Sequence, residues 1–303
     1  MRFEGVFAIM TTPFDASGEI DFEALTKKTE YLIECGMDGL IPTGSVGECS
    51  ALTDSERVEI WKAVQQVAGT RVAVVGSTIH TATGHATRLS EEANKIGLDA
   101  VMNMPPYYWA LTDDAYVSHF RHLSDAVSIP IMAYNNVNVT RVDMSPQLIA
   151  RIAGVKNVKA IKETTPRLLK LEQVLQMAGD KIAVLNGMTV FHEPYATIMG
   201  CPGMVDPFAN FLGPTTVAIR KFAEEGEYQK ALELKKTAVA PIANYLFGMP
   251  SVPDIIAAYK HLEFRLGLLP CAYCRPPILD VSEATKEELD KLLEETKQCR
   301  LSV

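Results

Sequence analysis

Lys162 stands in "NVKAIKETT" (157–165), at the end of a run whose other residues read as a buried strand. Side chains alternate along a strand, so Val158, Ala160 and Lys162 are expected on one face and Lys159, Ile161 and Glu163 on the other. A strand that turns valine and alanine into a core has no packing reason to end with an ammonium on the same side. It can have a chemical one. Burial disfavours the charged form of a lysine, and the neutral amine is the form that attacks a ketone to give an imine. Once protonated, that imine is an electron sink beside which a C–H bond becomes acidic or a C–C bond breaks. From this strand alone, a lysine that reaches solvent or pairs with Glu163 accounts for the pattern equally well. Tyr134, one apolar segment earlier and at the same height, favours the chemistry, because its hydroxyl can pass protons to the carbinolamine and to a leaving oxygen. A third element is "PTGSVGECSALTDSER" (42–57). Gly44 and Gly47 bracket a turn whose N–H groups can converge on a carboxylate beside the ketone, and Ser45 can relay protons from Tyr134.

These residues must be held by something regular. Eight short apolar segments recur, at 6–13, 39–45, 72–78, 100–106, 130–136, 158–164, 181–187 and 203–208, each closed by turn or small residues. Helical spacing fills the intervals. In "TDSERVEIWKAVQQVAG", Thr53 and Glu56 form a capping box ahead of an apolar stripe, and in "CGMDGL" and "IGLDAV" a glycine can end the helix before the next strand. Strands alternating with helices predict parallel pairing, and eight units within about 210 residues predict an α/β chain folded as a (β/α)8 TIM barrel, with an open doubly wound sheet as the alternative. No G-x-G-x-x-G follows the first strand, which argues against a dinucleotide site. Residues 1–225 are assigned to the barrel, and 226–303 to a C-terminal helical extension packed on it. In "EATKEELDKLLEETKQ" of that extension, Leu289, Leu292 and Leu293 form one narrow apolar stripe.

A barrel builds its site at the carboxyl ends of its strands. Those ends offer hydroxyls, tyrosines and a single lysine, but no histidine and no carboxylate cluster, so metal-assisted chemistry and a histidine triad fit poorly. His119 and His122 are expected to be solvent-exposed or half-packed helix residues. "CAYC" (271–274) lacks the two further ligands of a structural zinc and is read as reduced thiols. A net charge of −8 argues against a nucleic-acid partner. No apolar run approaches membrane-spanning length and no signal peptide is evident, so a cytoplasmic protein without a membrane partner is expected.

With these residues in hand, the chain resembles the family of pyruvate-dependent class I (Schiff-base) aldolases that contains dihydrodipicolinate synthase and N-acetylneuraminate lyase. The likeness runs from "TPF" (12–14) to "RPP" (275–277) through "GSVGE" (44–48), "PPYYW" (105–109), "YNN" (134–136), "IKE" (161–163), "NG" (186–187) and "GCPGMVDPFAN" (200–210). It implies that Lys162 forms the imine and that Tyr134 moves protons to and from the substrate. Ser45 would join Tyr134 to a second tyrosine, Tyr108, reaching in from a neighbouring subunit. It also implies that the N–H groups of Ser45 and Val46 hold the pyruvyl carboxylate, that Gly187 and Val205 line the pyruvate pocket, and that Thr164 takes part in substrate binding. Catalysis would need no metal and no cofactor beyond the covalent lysine imine. The family's assembly implies a homotetramer built as a dimer of dimers.

Departures from the family pattern bear on the substrate. The synthases read Y-N-x-P-x-R-T after the tyrosine, and their arginine binds the carboxylate of a semialdehyde; here Val139 occupies that position and Arg141 lies two residues on. Val46 replaces a threonine. Thr164 matches the K-x-T of the sialic acid lyases, whose acidic pair is missing after "GMT". Asp206, where serine is common, adds an acidic group read as favouring a polyol. The expected activity is therefore that of a lyase acting on pyruvate plus an aldehyde, or on a 2-keto-3-deoxy sugar acid, by cleavage, condensation or dehydration beside the keto group. Condensation of pyruvate with aspartate semialdehyde, as in a dihydrodipicolinate synthase, is the alternative. A non-catalytic sugar-acid sensor and a metal-dependent aldolase are the readings from other classes.

Overall fold

The computed structural model describes residues 1–302. Eight parallel strands close into a barrel in sequence order, β8 pairing back to β1. They are β1 (Gly5–Ile9), β2 (Gly39–Ile41), β3 (Ala73–Ser77), β4 (Ala100–Asn103), β5 (Ile131–Asn135), β6 (Val158–Glu163), β7 (Ala183–Asn186) and β8 (Gly203–Asp206). Helices α1 (Phe22–Glu34), α2 (Asp54–Ala68), α3 (Thr83–Ile96) and α4 (Asp113–Ala126) occupy the first four crossovers. The short α5 (Val137–Thr140) and α6 (Pro146–Ile152) share the fifth, and α7 (Leu168–Ala178), α8 (Tyr195–Ile198) and α9 (Ala209–Glu224) complete the shell. Four further helices follow, α10 (Tyr228–Leu234), α11 (Ala240–Phe247), α12 (Val252–Arg265) and α13 (Glu283–Thr296), with a π-helical turn at Lys235–Val239 before α11. The barrel and its helical extension are the architecture the periodicity predicts. No helix among the described residues is long and apolar enough to cross a membrane.

Period-two alternation sorts the strand residues into two apolar layers. Phe7, Ile9, Ile41, Val75, Met102, Met132, Ala160, Leu185 and Val205 fill the inside of the barrel. Val6, Ala8, Leu40, Val74, Val101, Ala133, Ile161 and Val184 pack outward under the helices. Several strands stop short of the apolar segments that announced them: β1 ends at Ile9, β2 at Ile41 and β4 at Asn103. The remaining residues of those segments turn over the carboxyl end of the barrel.

One expected side-chain direction is corrected. Ile131 pairs with Val158 but Met132 pairs with Ala160, so β6 carries one extra residue, the exposed Lys159. Val158 therefore joins Ile131 and Ile161 in the outer layer, while Ala160 and Lys162 face inward. A bulge resets the alternation.

The local signals of the helices hold. Thr53 and Glu56 make the capping box of α2, and Gly36 and Gly97 adopt φ of +87° and +82° where α1 and α3 end. His119 departs from expectation. It is 2 % exposed and bonds to Asn103 at 2.8 Å and to Thr83 at 3.0 Å, because the inner face of α4 presses against α3 and β4. Burial pushes its ring down to about 4. All six cysteines are free thiols.

The extension shares its apolar core with the barrel: Phe208, Phe211 and Ile219 pack with Ile242, Ala258, Leu262 and Leu289. The stripe of α13, Leu289, Leu292 and Leu293, is buried in it. Two buried ion pairs pin α12 to the barrel, Lys28 with Glu263 and Lys260 with Glu48, and all four side chains are essentially inaccessible. Thr11 donates to Glu263 at 2.7 Å and completes the first pair. Removing one member of such a pair leaves an uncompensated buried charge. Glu263→Gln is expected to lower the unfolding free energy by about 3–5 kcal/mol, measured by chemical denaturation.

Candidate active site

Lys162 and Tyr134 are register partners on β6 and β5, and each is 3 % exposed. The lysine Nζ lies 4.4 Å from the centre of the tyrosine ring. Other buried lysines end on carboxylates: Lys28 on Glu263, Lys170 on Asp143 and Lys260 on Glu48. Lys162 ends over an aromatic face. The Asn136 side-chain amide donates to the Tyr134 oxygen at 2.8 Å, which leaves the phenol's own proton free for another acceptor.

The competing partner, Glu163, points to the helix side of β6. Asn135 donates to both of its oxygens, at 2.9 and 3.0 Å, and the Lys170 ammonium lies 3.5 Å away. Burial raises the Glu163 carboxyl to about 7 against the opposing pull of Lys170. An outward carboxylate with its own partners cannot hold the inward lysine.

The turn after β2 is built under strain. Thr43 and Glu48 have φ of +55° and +57°, conformations that cost a non-glycine residue on the order of 1–3 kcal/mol each. The Trp61 indole N–H donates to Thr43 Oγ1 at 2.7 Å. Glu48 accepts from the Arg275 backbone N–H at 2.8 Å and holds Lys260. Gly47 is required for space: a Cβ there would lie 2.8 Å from the Met10 carbonyl oxygen. The result presents Ser45 and Val46 half-buried at the barrel mouth, with Ser45 Oγ buried and lacking a hydrogen-bond partner among the described residues. Val46 packs against the inner barrel layer and the extension together.

On the far side, Gly187 lets β7 approach β6, since a Cβ would meet Thr164 Oγ1 at 2.2 Å and the Glu163 carbonyl oxygen at 2.8 Å. That threonine oxygen is also buried without a partner, and Val205 belongs to the inner wall. Asp206 is fully buried. One of its oxygens accepts from the Thr189 hydroxyl and from the Phe208 N–H at 3.0 Å, and the other has no partner among the described residues. Burial raises the Asp206 carboxyl, with the charge of Lys162 among the influences that oppose the rise.

Tyr108 lies apart from this group. It is 73 % exposed and packs edge-on against the equally exposed Trp109 at 4.9 Å. Tyr107, its neighbour, instead borders a cavity of about 330 Å³ over the barrel mouth, together with Ser45, Val139 and residues of the extension. Arg141 is exposed at the left-handed end of α5 and does not border that cavity.

Four residues escape the sequence argument. Asn136 sits within "YNN" but nothing in that triplet says which atom it holds. Tyr259 comes from α12, where burial raises its hydroxyl and Asp206 and Tyr134 add to the rise. Lys260 and Arg275 reach the strained turn from more than 200 residues away. The one available signal is the run "YKHLE" (259–263), whose polar residues interrupt a buried helix face.

The model of the dihydrodipicolinate synthetase family matches residues 2–296. The 4-hydroxy-tetrahydrodipicolinate synthase of Geobacter metallireducens is 33 % identical over 295 residues, 97 % of this chain and 98 % of that one. A solved dihydrodipicolinate synthase from Bacillus anthracis superposes with a TM-score of 0.89 at 28 % identity, covering 97 % and 98 % of the two chains. That of Acinetobacter baumannii, solved in complex with pyruvate, gives 0.91 at 25 % identity over 98 % and 99 %.

Glu163 also sets a pH dependence. Its folded-state pKa, about 7, lies above the ordinary 4.5, so the stability that its protonated form contributes is complete below pH 4.5 and is lost as pH rises through about 7. Glu163→Gln, which cannot ionise, is expected to gain stability relative to the parent chain across pH 4.5–7 and to hold a constant difference above it, measured by urea unfolding at each pH.

Proposed function

This chain belongs to the dihydrodipicolinate synthetase family, whose members are lyases of the class I, Schiff-base aldolase type, and on that premise we propose that Lys162 captures the keto carbon of pyruvate or of a related 2-oxo acid. The single observation that carries the reading is the inward Lys162 amine, held over Tyr134 as its register partner. The amine adds to the ketone, and loss of water gives the protonated imine. Tyr134, its oxygen already accepting from Asn136, returns a proton to the departing hydroxyl and later serves the carbon or oxygen that reacts. The N–H groups of Ser45 and Val46 receive the carboxylate of the substrate, and the strained turn fixes their direction before it arrives. Ser45 Oγ and Thr164 Oγ1, buried without partners, are the hydroxyls available to it. Gly187 and Val205 bound the methyl side. Asp206 faces Lys162 electrostatically and Tyr259 beyond it.

Tyr108, exposed with Trp109 on one protomer, is the part of the proposal that needs a second copy: a homotetramer in which this aromatic pair enters a neighbour's site. Composition and the lack of a membrane-spanning helix among the described residues support a cytoplasmic enzyme.

The shared name of the relatives supports a second reading, condensation of pyruvate with aspartate semialdehyde. Val139 and the exposed Arg141 count against it, because the mouth then lacks the cation that a second carboxylate needs.

Borohydride added in the presence of pyruvate is expected to fix one pyruvyl unit on Lys162, read by peptide mass spectrometry; an unlabelled Lys162 defeats the proposal. Lys162→Ala is expected to abolish turnover. Tyr134→Phe is expected to lower kcat by about 10²–10⁴-fold while still allowing the adduct to form.

A further inference from the structure

The cavity over the barrel mouth continues outward from Ser45 and Tyr107, and its walls are greasy. Val139 comes from α5, Ile79 from the end of the third strand segment, and Val252, Ile256 and Ile278 from the extension. Among the described residues no lysine, arginine or histidine borders it. Its one charged neighbour, Glu48, is held by Lys260 and by the N–H of Arg275. Arg57 lies behind the wall, 5 % exposed, with its guanidinium donating to the carbonyl oxygens of Ile79 and Cys49. A carboxylate or phosphate entering this space would lose its hydration and find no cation. Besides Glu48, the polar side chains on its lining are Ser45, Ser50, Tyr107 and Asn138, a sparse set for the several hydroxyls of a polyol. At about 330 Å³ the space sits at the small end of ligand cavities, which run from about 300 to 1,000 Å³.

Resting on the imine chemistry proposed above, we infer that the second substrate is an uncharged aldehyde with a compact apolar body, a branched alkyl chain or a single aromatic ring. In the cleavage direction, the Lys162 amine condenses with the keto group of a 4-hydroxy-2-oxo acid and water leaves. Tyr134 takes the proton of the 4-hydroxyl as the C3–C4 bond breaks; its electron pair enters the iminium to give the enamine, and the apolar aldehyde departs. The enamine then takes a proton at C3, and water hydrolyses the imine to pyruvate and free Lys162. Val139 determines the choice, standing where a cation would otherwise meet the far end of the substrate.

The test is a wild-type panel. Pyruvate is offered with isobutyraldehyde and benzaldehyde, and separately with succinic semialdehyde, aspartate semialdehyde and glyceraldehyde, while borohydride trapping is run on the same preparation. The apolar aldehydes are expected to exceed the charged and polyhydroxylated ones in kcat/KM by on the order of 100-fold. Val139→Arg is expected to narrow or reverse that ratio while leaving the pyruvate adduct at Lys162 in place. A normal adduct with equal or better turnover of the carboxylated or polyhydroxy aldehydes overturns the inference and spares the imine chemistry. A normal adduct with no aldehyde consumed also overturns it. Failure to form the adduct overturns both.

Discussion

A lysine amine buried in the barrel interior over a tyrosine ring, and not paired with the carboxylate next to it in the chain, is the arrangement on which the rest of this molecule depends. An ammonium in such a place would ordinarily draw an anion to itself, as Lys28, Lys170 and Lys260 each do. Lys162 is kept from doing so by direction. The acidic side chain next to it leaves by the opposite face of the strand, where Asn135 and Lys170 hold it. Strand pairing thus separates two ionisable groups that are adjacent in the chain, one facing the barrel interior and one facing the helical shell.

Opposite that amine, the molecule places a turn that would not hold its shape alone. Two non-glycine residues in the left-handed region are fixed by groups distant in sequence: Trp61 on α2 anchors Thr43, and the extension anchors Glu48 through Lys260 and Arg275. Phe14 receives both cations on its ring, Lys260 at 4.2 Å and Arg275 at 4.6 Å, so the first barrel loop joins the same assembly. The C-terminal extension therefore supports the strained turn as well as forming walls of the cavity above it. Barrel and extension share one apolar core for the same reason.

Much of this was legible in the sequence because it is local. Strand alternation around Lys162, the tyrosine one segment earlier, the glycines of the turn and the capping box of α2 are all decided by neighbours a few residues apart. What was not legible depends on contact between distant segments. The bulge at Lys159 arises from how β6 meets β5, and no property of "NVKAIKE" announces it. His119 was misjudged because a single polar residue within the apolar stripe of α4 looks the same whether it faces water or the buried Asn103 amide. Asn136 lies beside Tyr134 in the chain, yet its bond to the phenol needs the short α5 that follows to fold back. Tyr259 comes within electrostatic reach of Asp206 and Tyr134 only through the packing of α12.

The extra residue in β6 has a consequence for how this chain can change over time. Lys159 touches little and is exposed, so almost any side chain can replace it. It has no partner on β5, and the residues on either side of it keep their pairing, Val158 with Ile131 and Ala160 with Met132. A codon lost there would leave an unbroken ladder with β5, Val158 outward beside Ile131 and Ala160 and Lys162 still inward beside Met132 and Tyr134. The position is permissive to substitution and to deletion alike, whereas one residue added between Ala160 and Lys162 would turn the amine toward the helices, a distinction that counting tolerated amino acids would never reveal.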